Sequence, residues 1–191
     1  MAEAPTVVGQ MTGDAAIDAV LERLDRVEAA VFGAEYSAVQ NMGGATSAVR
    51  VAQTAPTRSS VTIGDVRYLV DGTDTRTCDI TTGACAPGID AQKISNTGLQ
   101  TPDLVFDGLA KRLRLDASAR VGTSTASSET IAGQLATCAD VTLTRGTVRY
   151  CVLDSGVIAL YAGGDFRLDL TVYSPTPDEL QFQTTTSSGG G

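Results

Sequence analysis

The sequence predicts an α+β domain in which an antiparallel sheet has one apolar face and helices cover that face. Three observations support this fold class. Apolar and polar residues alternate along several stretches of the chain, as they do in half-exposed strands. Turn dipeptides separate these stretches at short intervals, which favours a meander of hairpins. Two other segments repeat apolar residues every three or four positions, as amphipathic helices do.

The first helix is predicted in DAAIDAVLERLDRVEAAV, whose apolar residues recur at the spacing of one helical face. Either Thr12 or Asp14 can cap its amino terminus by accepting hydrogen bonds from the first turn. The apolar face consists of Ile17, Val20, Leu21, Leu24, Val27 and Val31. We expect this face to lie against the sheet, because a one-sided helix needs an apolar partner layer.

Strands follow the first helix, beginning with AEYSAVQNM and SAVRVAQ. Residues 43–46, GGAT, are interpreted as the hairpin turn between these two strands, since the nearby glycines do not form a phosphate-binding loop. Farther along, VTIGDVRYLV alternates apolar residues around a Gly64-Asp65 turn. We expect about five strands before residue 88 and then an irregular link over residues 88–100.

The second helix is predicted in TPDLVFDGLAKRLRL, where Thr101 can act as cap with Pro102 at the first helical position. Its apolar stripe consists of Val105, Leu109 and Leu113 beside Phe106. Five or six further strands complete a single domain over residues 1–183. Residues 184–191 are expected to be a flexible tail or a remnant of the expression vector.

Four cysteines form the most informative pattern in the chain. Zinc sites usually contain a CxxC motif or Cys with His, and thioredoxin-type catalysts contain CxxC, whereas this protein has neither motif and no histidine. In CADVTLTRGTVRYC, placing Cys138 opposite Cys151 also places Val141 opposite Val148, which is a sensible hairpin register. Strand alternation puts both cysteines on the polar face, with Asp140, Thr142, Thr147 and Arg149.

The other cysteine pair has a similar arrangement, because Cys78 and Cys85 flank the TTG turn at residues 81–83. We therefore predict two local disulfides, Cys78–Cys85 and Cys138–Cys151. Reduced structural thiols, a metal site and a redox site are the alternatives. Since disulfides persist in oxidising compartments, the pairing predicts a protein that works outside the cytoplasm.

The face opposite the cystine is apolar and is predicted to continue onto the next hairpin. The dipeptide Gly163-Gly164 predicts a two-residue turn that pairs Tyr161 with Phe166. The apolar face continues onto this hairpin only if the turn at residues 154–155 has an even number of residues. A bulge there would shift the side-chain alternation by one residue and move the following side chains to the other face. The candidate ligand-binding residues on this face are Val148, Tyr150, Val157, Tyr161, Phe166, Leu168 and Leu170, and the same face includes Val152, Ala159 and Val172.

The charge balance makes nucleic acid an unexpected partner. The formal net charge is −8, and the 14 basic residues are scattered along the chain. No apolar run has the length of about 18 residues that a transmembrane helix needs, and no segment has the features of a signal peptide. Residues 1–5 and 187–191 resemble cut ends, beyond which an export signal or a membrane anchor can lie.

Candidate catalytic residues are scarce. The absence of histidine removes the usual general base and with it Ser-His-Asp and Cys-His arrangements. The carboxylate pairs Asp14 with Asp18 and Asp71 with Asp74 fall on a solvated helix face and in turn sequence. The stretch DGTDTRTCD lacks the spacing of a calcium loop. We predict no catalytic residue, no metal site and no cofactor.

The order of these elements resembles the LolA-like superfamily. The resemblance rests on the helix with LERLDRV, the strand AEYSAVQ, the segment VAQTAPTRSSVTIGDVRYLVDG, the mid-chain helix, and the stretches IAGQLATCADVTL, YCVLDSGVIALYA and FRLDLTVYSPTPDELQF, over roughly residues 14–183. The superfamily includes the lipoprotein carrier LolA, the LolA-like half of the anti-sigma regulator RseB, and the mycobacterial lipoproteins LppX and LprG. The paired cysteines and the ending YSPTPDELQF look more like secreted actinobacterial members.

The resemblance implies an antiparallel sheet curved into an open half-barrel, with helices covering its concave apolar face and acyl chains held between the two layers. It implies a lipid or acylated ligand, together with a membrane-anchored partner protein. From the residues alone, the apolar face is either a filled core or the wall of such a cavity.

We predict a non-enzymatic, extracytoplasmic protein that binds or carries a hydrophobic ligand such as a lipid or a lipoprotein acyl chain. It would be secreted, periplasmic or attached to the cell surface. The alternatives are a sensor or anti-sigma-regulator-like ectodomain and a structural or adhesive surface module.

Overall fold

The computed structural model describes residues 9–55, 57–96 and 100–184. Apart from Thr184, the tail expected at residues 184–191 lies outside this range. The regular helices of the described part are α1 (Ala15–Leu24), α2 (Ala91–Asn96) and α3 (Leu109–Ala119). The strands are β1 (Phe32–Gln40), β2 (Thr46–Ala55), β3 (Arg58–Ile63), β4 (Val66–Asp71), β5 (Asp74–Asp79), β6 (Cys85–Pro87), β7 (Thr125–Ile131), β8 (Gln134–Leu143), β9 (Gly146–Leu153), β10 (Ile158–Ala162) and β11 (Phe166–Ser174).

The eleven strands form one antiparallel sheet that does not close into a barrel. Their order is β6-β5-β4-β3-β2-β1-β11-β10-β9-β8-β7. Each half of the chain therefore forms a meander, and the two meanders meet where β1 pairs with β11. A sheet of this size curves because its strands twist. The predicted α+β half-barrel, with helices against its concave apolar face, is confirmed.

Helix α1 begins at Ala15 because Asp14 caps it. Oδ1 of Asp14 accepts hydrogen bonds from the backbone N–H groups of Ala16 at 3.1 Å and Ile17 at 3.4 Å. The apolar face of the helix is buried, and the helix packs against β7, β8, β9 and α3. Val31, which the helical spacing assigned to the same face, is 49% exposed. The helix ends at Leu24, and a 3₁₀ turn then redirects the chain.

The second predicted helix begins later than the sequence indicated. A wide π-type turn over Leu104–Gly108 comes first, and it is broken at Phe106, whose φ of −104° and ψ of −106° are not helical. Regular helix starts only at Leu109. The prediction that Thr101 and Pro102 start the helix is therefore wrong.

Gly108 is the residue that permits this irregular start. A Cβ atom at Gly108 would lie 3.0 Å from the backbone oxygen of Asp103, so a larger residue would push the turn apart. The predicted stripe of Val105, Leu109 and Leu113 is nevertheless buried in the core. The link over residues 88–100 contains the short helix α2, which the sequence did not predict.

Arg114 fixes the buried side of α3. Its side chain is fully buried, and Nη2 lies 2.5 Å from Oδ2 of Asp25, just beyond the end of α1. Its Nε donates a hydrogen bond to the backbone oxygen of Gln10 at 3.1 Å. Removing one partner of a buried ion pair is costly because the other charge is left without solvent. Helix α3 is thus held firmly to α1.

The predicted registers of the cysteine hairpins are confirmed. Cys138 lies opposite Cys151, and Asp140 lies opposite Arg149. Both predicted disulfides are present: Cys78–Cys85 and Cys138–Cys151, each with 4.0 Å between the Cα atoms. The Gly64-Asp65 turn also forms as predicted, with Ile63 opposite Val66.

The turn between β10 and β11 differs from the prediction. Tyr161 lies opposite Leu168 and not opposite Phe166, so the loop contains four residues. Gly163 is required for space and not for a tight turn, because a Cβ atom there would lie 2.0 Å from the hydroxyl oxygen of Tyr161. The register slips by two residues, which keeps Tyr161 and Leu168 on the same face.

Two bulges adjust the predicted apolar face. The pairing of β9 with β10 shifts between Ile158 and Leu160, after which Tyr161 pairs with Tyr150 on the concave face. A second shift, between Glu35 and Tyr36 of β1, places Val172 opposite Glu35. Val172 is consequently half exposed, and its predicted place on the concave apolar face is wrong.

Candidate functional site

Two grooves lie at one end of the half-barrel, which we call the mouth. There the β1–β2, β8–β9 and β10–β11 turns approach α3 and the segment before it. The larger groove has a volume of about 470 Å³ and the smaller of about 340 Å³. Both are lined by Met42, Arg112 and Asp165, so these residues form the ridge between them. The larger groove is also lined by Asp116, Leu143, Arg145, Gly146, Thr147, Val148, Gly163 and Gly164, and the smaller by Gln40, Gln100, Thr101, Leu104 and Phe166.

Arg112 of α3 is held in this ridge by a charge and by two aromatic rings. Its Nη1 lies 2.8 Å from Oδ2 of Asp165 in the β10–β11 loop. Its guanidinium carbon lies 5.0 Å from the ring centre of Tyr161 and 5.5 Å from that of Phe166. Both distances are within the range of a cation–π interaction. A single side chain thereby joins the helix to the loop across the mouth.

The same contacts set the pKa of Asp165. Burial by itself raises the pKa of this carboxyl, but the hydrogen bond and the charge of Arg112, together with backbone hydrogen bonds from Asp165 and Phe166, outweigh burial and leave the pKa below its ordinary value of 3.8. The pKa of Arg112 is raised in turn: burial lowers it, and the nearby groups of Tyr161 and Asp165 more than compensate. The ion pair is therefore fully charged at neutral pH.

A row of three aromatic rings lies directly beneath the ridge. The ring centres of Tyr150 and Tyr161 are 5.1 Å apart in an edge-to-face arrangement, and those of Tyr161 and Phe166 are 4.5 Å apart. The hydroxyl of Tyr150 donates to Oδ2 of Asp116 at 2.5 Å, and that of Tyr161 donates to Oδ1 of Asp165 at 3.2 Å. Both phenols are thus fixed by carboxylates of the mouth.

Burial raises the pKa of both tyrosines. For Tyr150 the charge of Asp116 raises it further, and for Tyr161 the charge of Arg112 opposes the rise without cancelling it. The phenols are neutral at physiological pH. They can donate hydrogen bonds, but they do not serve as general bases.

All seven predicted ligand-binding residues belong to the core between sheet and helices or pack against it. Val148 and Phe166 line the grooves of the mouth. Tyr150 and Tyr161 lie in the aromatic row, one layer deeper. The remaining three, Val157, Leu168 and Leu170, are buried in the core and line neither groove.

Sequence reasoning did not find the polar residues of the mouth, which are Arg112, Asp116 and Asp165. Arg112 lies in KRLRL among other cations, and nothing in that stretch distinguishes it from a solvated residue. Asp165 lies in a GGD turn, where aspartate is common for local reasons. Only the approach of α3 to the β10–β11 loop brings the two residues together.

The Cys138–Cys151 disulfide lies on the convex face, away from the mouth. Oε1 of Glu129 lies 3.4 Å from Sγ of Cys151, and Arg149 contacts both Glu129 and Asp140. The predicted pair of Arg149 with Asp140 is present at 2.9 Å. Glu129 and the two sulfurs are close enough to surround a cation, but disulfide sulfurs are not thiolates and do not act as zinc ligands.

Comparisons with known proteins identify the fold. No family model matches the sequence, and no curated protein is similar to it. The crystal structure of MucB has a TM-score of 0.57 and 17% sequence identity, covering 90% of this chain and 63% of that one. MucB in the Pseudomonas aeruginosa MucA/MucB complex has a TM-score of 0.52 and 18% identity, covering 88% of this chain and 60% of that one. This chain has the LolA/RseB-like fold of MucB.

The likeness has clear bounds. The chain spans less than two thirds of the length of the MucB structures. At this level of identity it shows the fold alone, and it does not favour the secreted actinobacterial type that the cysteines and the chain ending suggested. In the described part of the chain, no helix is long and apolar enough to cross a membrane.

Proposed function

We propose that this protein is an extracytoplasmic, non-enzymatic domain that binds a hydrophobic ligand, either a lipid or the acyl chain of an acylated partner, through the mouth. The observation that supports this function is the aromatic row of Tyr150, Tyr161 and Phe166, which lies beneath two grooves, with the guanidinium of Arg112 over the rings of Tyr161 and Phe166. Concave, mostly apolar sites with a few fixed polar groups are the usual form of small-molecule sites.

The ligand would extend from the grooves along the predicted apolar face, which consists of Val148, Tyr150, Val157, Tyr161, Phe166, Leu168 and Leu170. This face is filled by protein in the structure. A bound chain must therefore displace side chains, and each apolar side chain that leaves its buried site costs about 1.5 to 3 kcal/mol before ligand contacts replace it. Uptake by this route requires a segment that can move at low cost.

The segment at residues 100–108 fits that requirement better than α3 does. Helix α3 is fixed to α1 by the buried pair of Arg114 with Asp25. The preceding π-type turn over Leu104–Gly108 is irregular, and residues 100, 101 and 104 line the smaller groove. We propose that this segment and the side chain of Arg112 move together when a ligand enters, while the backbone of α3 stays in place.

The absence of enzymatic activity is supported by the state of the groups at the mouth. The chain contains no histidine. The two phenols are neutral because their pKa values are raised, and Asp165 is occupied by Arg112. The location outside the cytoplasm is supported by the two disulfides, which form and persist in oxidising compartments.

Native mass spectrometry of the purified protein, with an organic extract of the same sample, tests this function. We expect a mass increment that disappears on extraction and a lipid in the extract. The apo protein should then bind a fluorescent fatty acid, and the extracted lipid should compete with it. A protein that carries no lipid and binds no fatty acid would rule the proposal out.

A second candidate is a regulatory ectodomain that recognises a partner protein. It is favoured by the shared fold with MucB, of which a complex with MucA has been solved. If the protein binds a segment of a partner protein and added fatty acid does not weaken that binding, the result would favour this candidate. Competition between the two would indicate that ligand and partner share the mouth. A structural or adhesive surface module, the third alternative, has no specific observation in its favour.

A further inference from the structure

The two edges of the open sheet differ in how well they are protected. Strand β6, at one edge, has three residues, ends in Pro87 and is tied to its neighbour by Cys85. Strand β7, at the other edge, has seven residues with the sequence TASSETI. It contains no proline, lysine or arginine, which are the usual devices that stop an edge from pairing with another chain.

The turn after β7 determines which of its backbone groups face outward. Ala132 and Gly133 form a two-residue turn with φ values of 49° and 75°, as in a type I′ hairpin. In such a hairpin the flanking residues, here Ile131 and Gln134, form a hydrogen-bonded pair. Counting back along the strand in twos, Glu129, Ser127 and Thr125 also bond to β8. The residues between them, Ala126, Ser128 and Thr130, therefore direct their N–H and C=O groups away from β8.

The short distance across the cystine agrees with this assignment. The same alternation makes Cys138 and Cys151 a non-hydrogen-bonded pair, for which close Cα atoms are expected, and the observed distance is 4.0 Å. Within residues 9–55, 57–96 and 100–184, no hydrogen bond from another segment reaches the outward groups of β7. These groups form an unpaired edge.

The side chains beside this edge leave room for another strand. Ala126, Ser128 and Thr130 are small and exposed. Leu135 of β8, which lies opposite Thr130, is 65% exposed, so an apolar residue reaching across the edge could cover it. The one charge of β7 is that of Glu129, and Arg149 of β9 lies 3.5 Å from it.

We propose that β7 is a docking edge for an extended segment of a partner protein, which adds to the sheet as a further antiparallel or parallel strand. The segment would carry apolar or small residues at alternate positions and no acidic residue. Its backbone would bond to Ala126, Ser128 and Thr130, as in other cases of strand addition. This inference goes beyond the proposed function, because it uses neither the mouth nor a hydrophobic ligand.

Charge and area favour such a segment over a second copy of this chain. Each copy carries a formal charge of −8, so two copies repel each other, whereas a basic segment is attracted and a neutral one is not repelled. Two globular copies meeting edge to edge along seven residues would also bury far less than the roughly 1,600 Å² of a standard interface. A flexible segment can instead lie along the edge and contact the side chains on either face.

The matched variants Ser128→Pro and Ser128→Ala test the proposal. Proline removes the outward N–H of residue 128 and leaves the bonds between β7 and β8 intact, whereas alanine keeps that N–H. A phage library of random twelve-residue peptides is selected on the whole chain. We expect selected peptides without acidic residues whose affinity falls at least about tenfold in Ser128→Pro and changes less than about twofold in Ser128→Ala.

Hydrogen exchange provides a readout that does not depend on how the proline variant folds. The amides of Ala126, Ser128 and Thr130 should exchange rapidly in the free protein and become protected when a selected peptide binds. The proposal is overturned if no peptide is enriched, if the selected peptides bind Ser128→Pro as well as wild type, or if protection appears elsewhere. Light scattering that shows a wild-type dimer and a Ser128→Pro monomer would assign the edge to a second copy and would also overturn it.

Discussion

Arg112 and Asp165 close the mouth of the half-barrel: Nη1 of the arginine lies 2.8 Å from Oδ2 of the aspartate. One residue belongs to α3 and the other to the β10–β11 loop, so the ion pair bridges the helical layer and the sheet. The guanidinium also covers the rings of Tyr161 and Phe166. Charge pairing and protection of the aromatic row thus depend on the same side chain.

Replacing Arg112 by alanine should open the mouth. The variant loses a partly exposed ion pair and two cation–π contacts, so we expect it to be about 1 to 2 kcal/mol less stable than wild type. A change of that size raises the population of an open mouth about 5- to 30-fold. Stopped-flow binding of a fluorescent fatty acid should therefore show a faster association rate.

Arg112→Lys is the control for this prediction. Lysine keeps the charge near Asp165 but lacks the planar group that stacks on the rings. Its association rate should lie between those of wild type and Arg112→Ala. If Arg112→Ala takes up the fatty acid at the wild-type rate, the ion pair does not control access to the interior.

The titration of Asp165 should report on the same ion pair. Its pKa in the folded protein is lowered below 3.8, so its contribution to stability is fully present above the unfolded value and is lost as the pH falls through the lowered pKa. Carboxyl ¹³C shifts should show Asp165 ionised down to below pH 3.8 in wild type. In Arg112→Ala the pKa should rise, because burial then acts without the opposing charge. An unchanged pKa would contradict this account.

Gly156, in the turn between β9 and β10, lies against the end of α1. Its φ is +90°, and a Cβ atom there would lie 2.6 Å from the backbone oxygen of Arg23 and 2.9 Å from the nitrogen of Val27. Gly156→Ala should therefore lower the free energy of unfolding by at least about 2 kcal/mol, through backbone strain and overpacking. Gly164→Ala, with no atom within 4 Å of its Cβ, should change it little. Equal denaturation midpoints for both variants would refute the prediction.

The sequence predicted those features that depend on contacts between strands that follow one another in the chain. The register of Cys138 with Cys151 follows from alternation and a two-residue turn, both of which are local, and the structure confirms it. The Gly163-Gly164 turn was misassigned because the glycine is needed to make room for the ring of Tyr161, and sequence spacing does not show that contact.

The polar part of the mouth was not predictable for a related reason. Arg112 and Asp165 meet only after α3 is placed on the sheet, and the position of α3 depends on the irregular turn over Leu104–Gly108. A regular helix starting near Thr101, as predicted, would have turned these side chains differently. The apolar face is a repeating pattern that a sequence shows, whereas the ion pair is a single long-range contact.

The two disulfides should differ in their resistance to reduction. Cys138 and Cys151 are fully buried, whereas Cys85 is exposed at the sheet edge. A reductant must reach a sulfur atom, so the native protein should lose Cys78–Cys85 first when treated with a phosphine. Timed alkylation and peptide mass spectrometry would measure the order, and early loss of Cys138–Cys151 would contradict it. On the chain-entropy model, Cys78–Cys85 contributes about 2.5 kcal/mol to the free energy of unfolding and Cys138–Cys151 about 3 kcal/mol.

The last prediction separates the two faces of the sheet by comparing Leu168→Asp with Arg149→Ala. Leu168 is fully buried on the concave face, so an aspartate there would lack both solvent and a partner, and we expect a loss of at least about 4 kcal/mol. Arg149 lies on the convex face, where its contacts with Asp140 and Glu129 are partly solvated, and its loss should cost about 1 kcal/mol. Chemical denaturation measures both values, and fatty-acid binding is compared in whichever variant stays folded. Arg149→Ala should bind like wild type. Loss of binding in Arg149→Ala together with intact folding and binding in Leu168→Asp would show that the ligand-facing side has been assigned to the wrong face of the sheet.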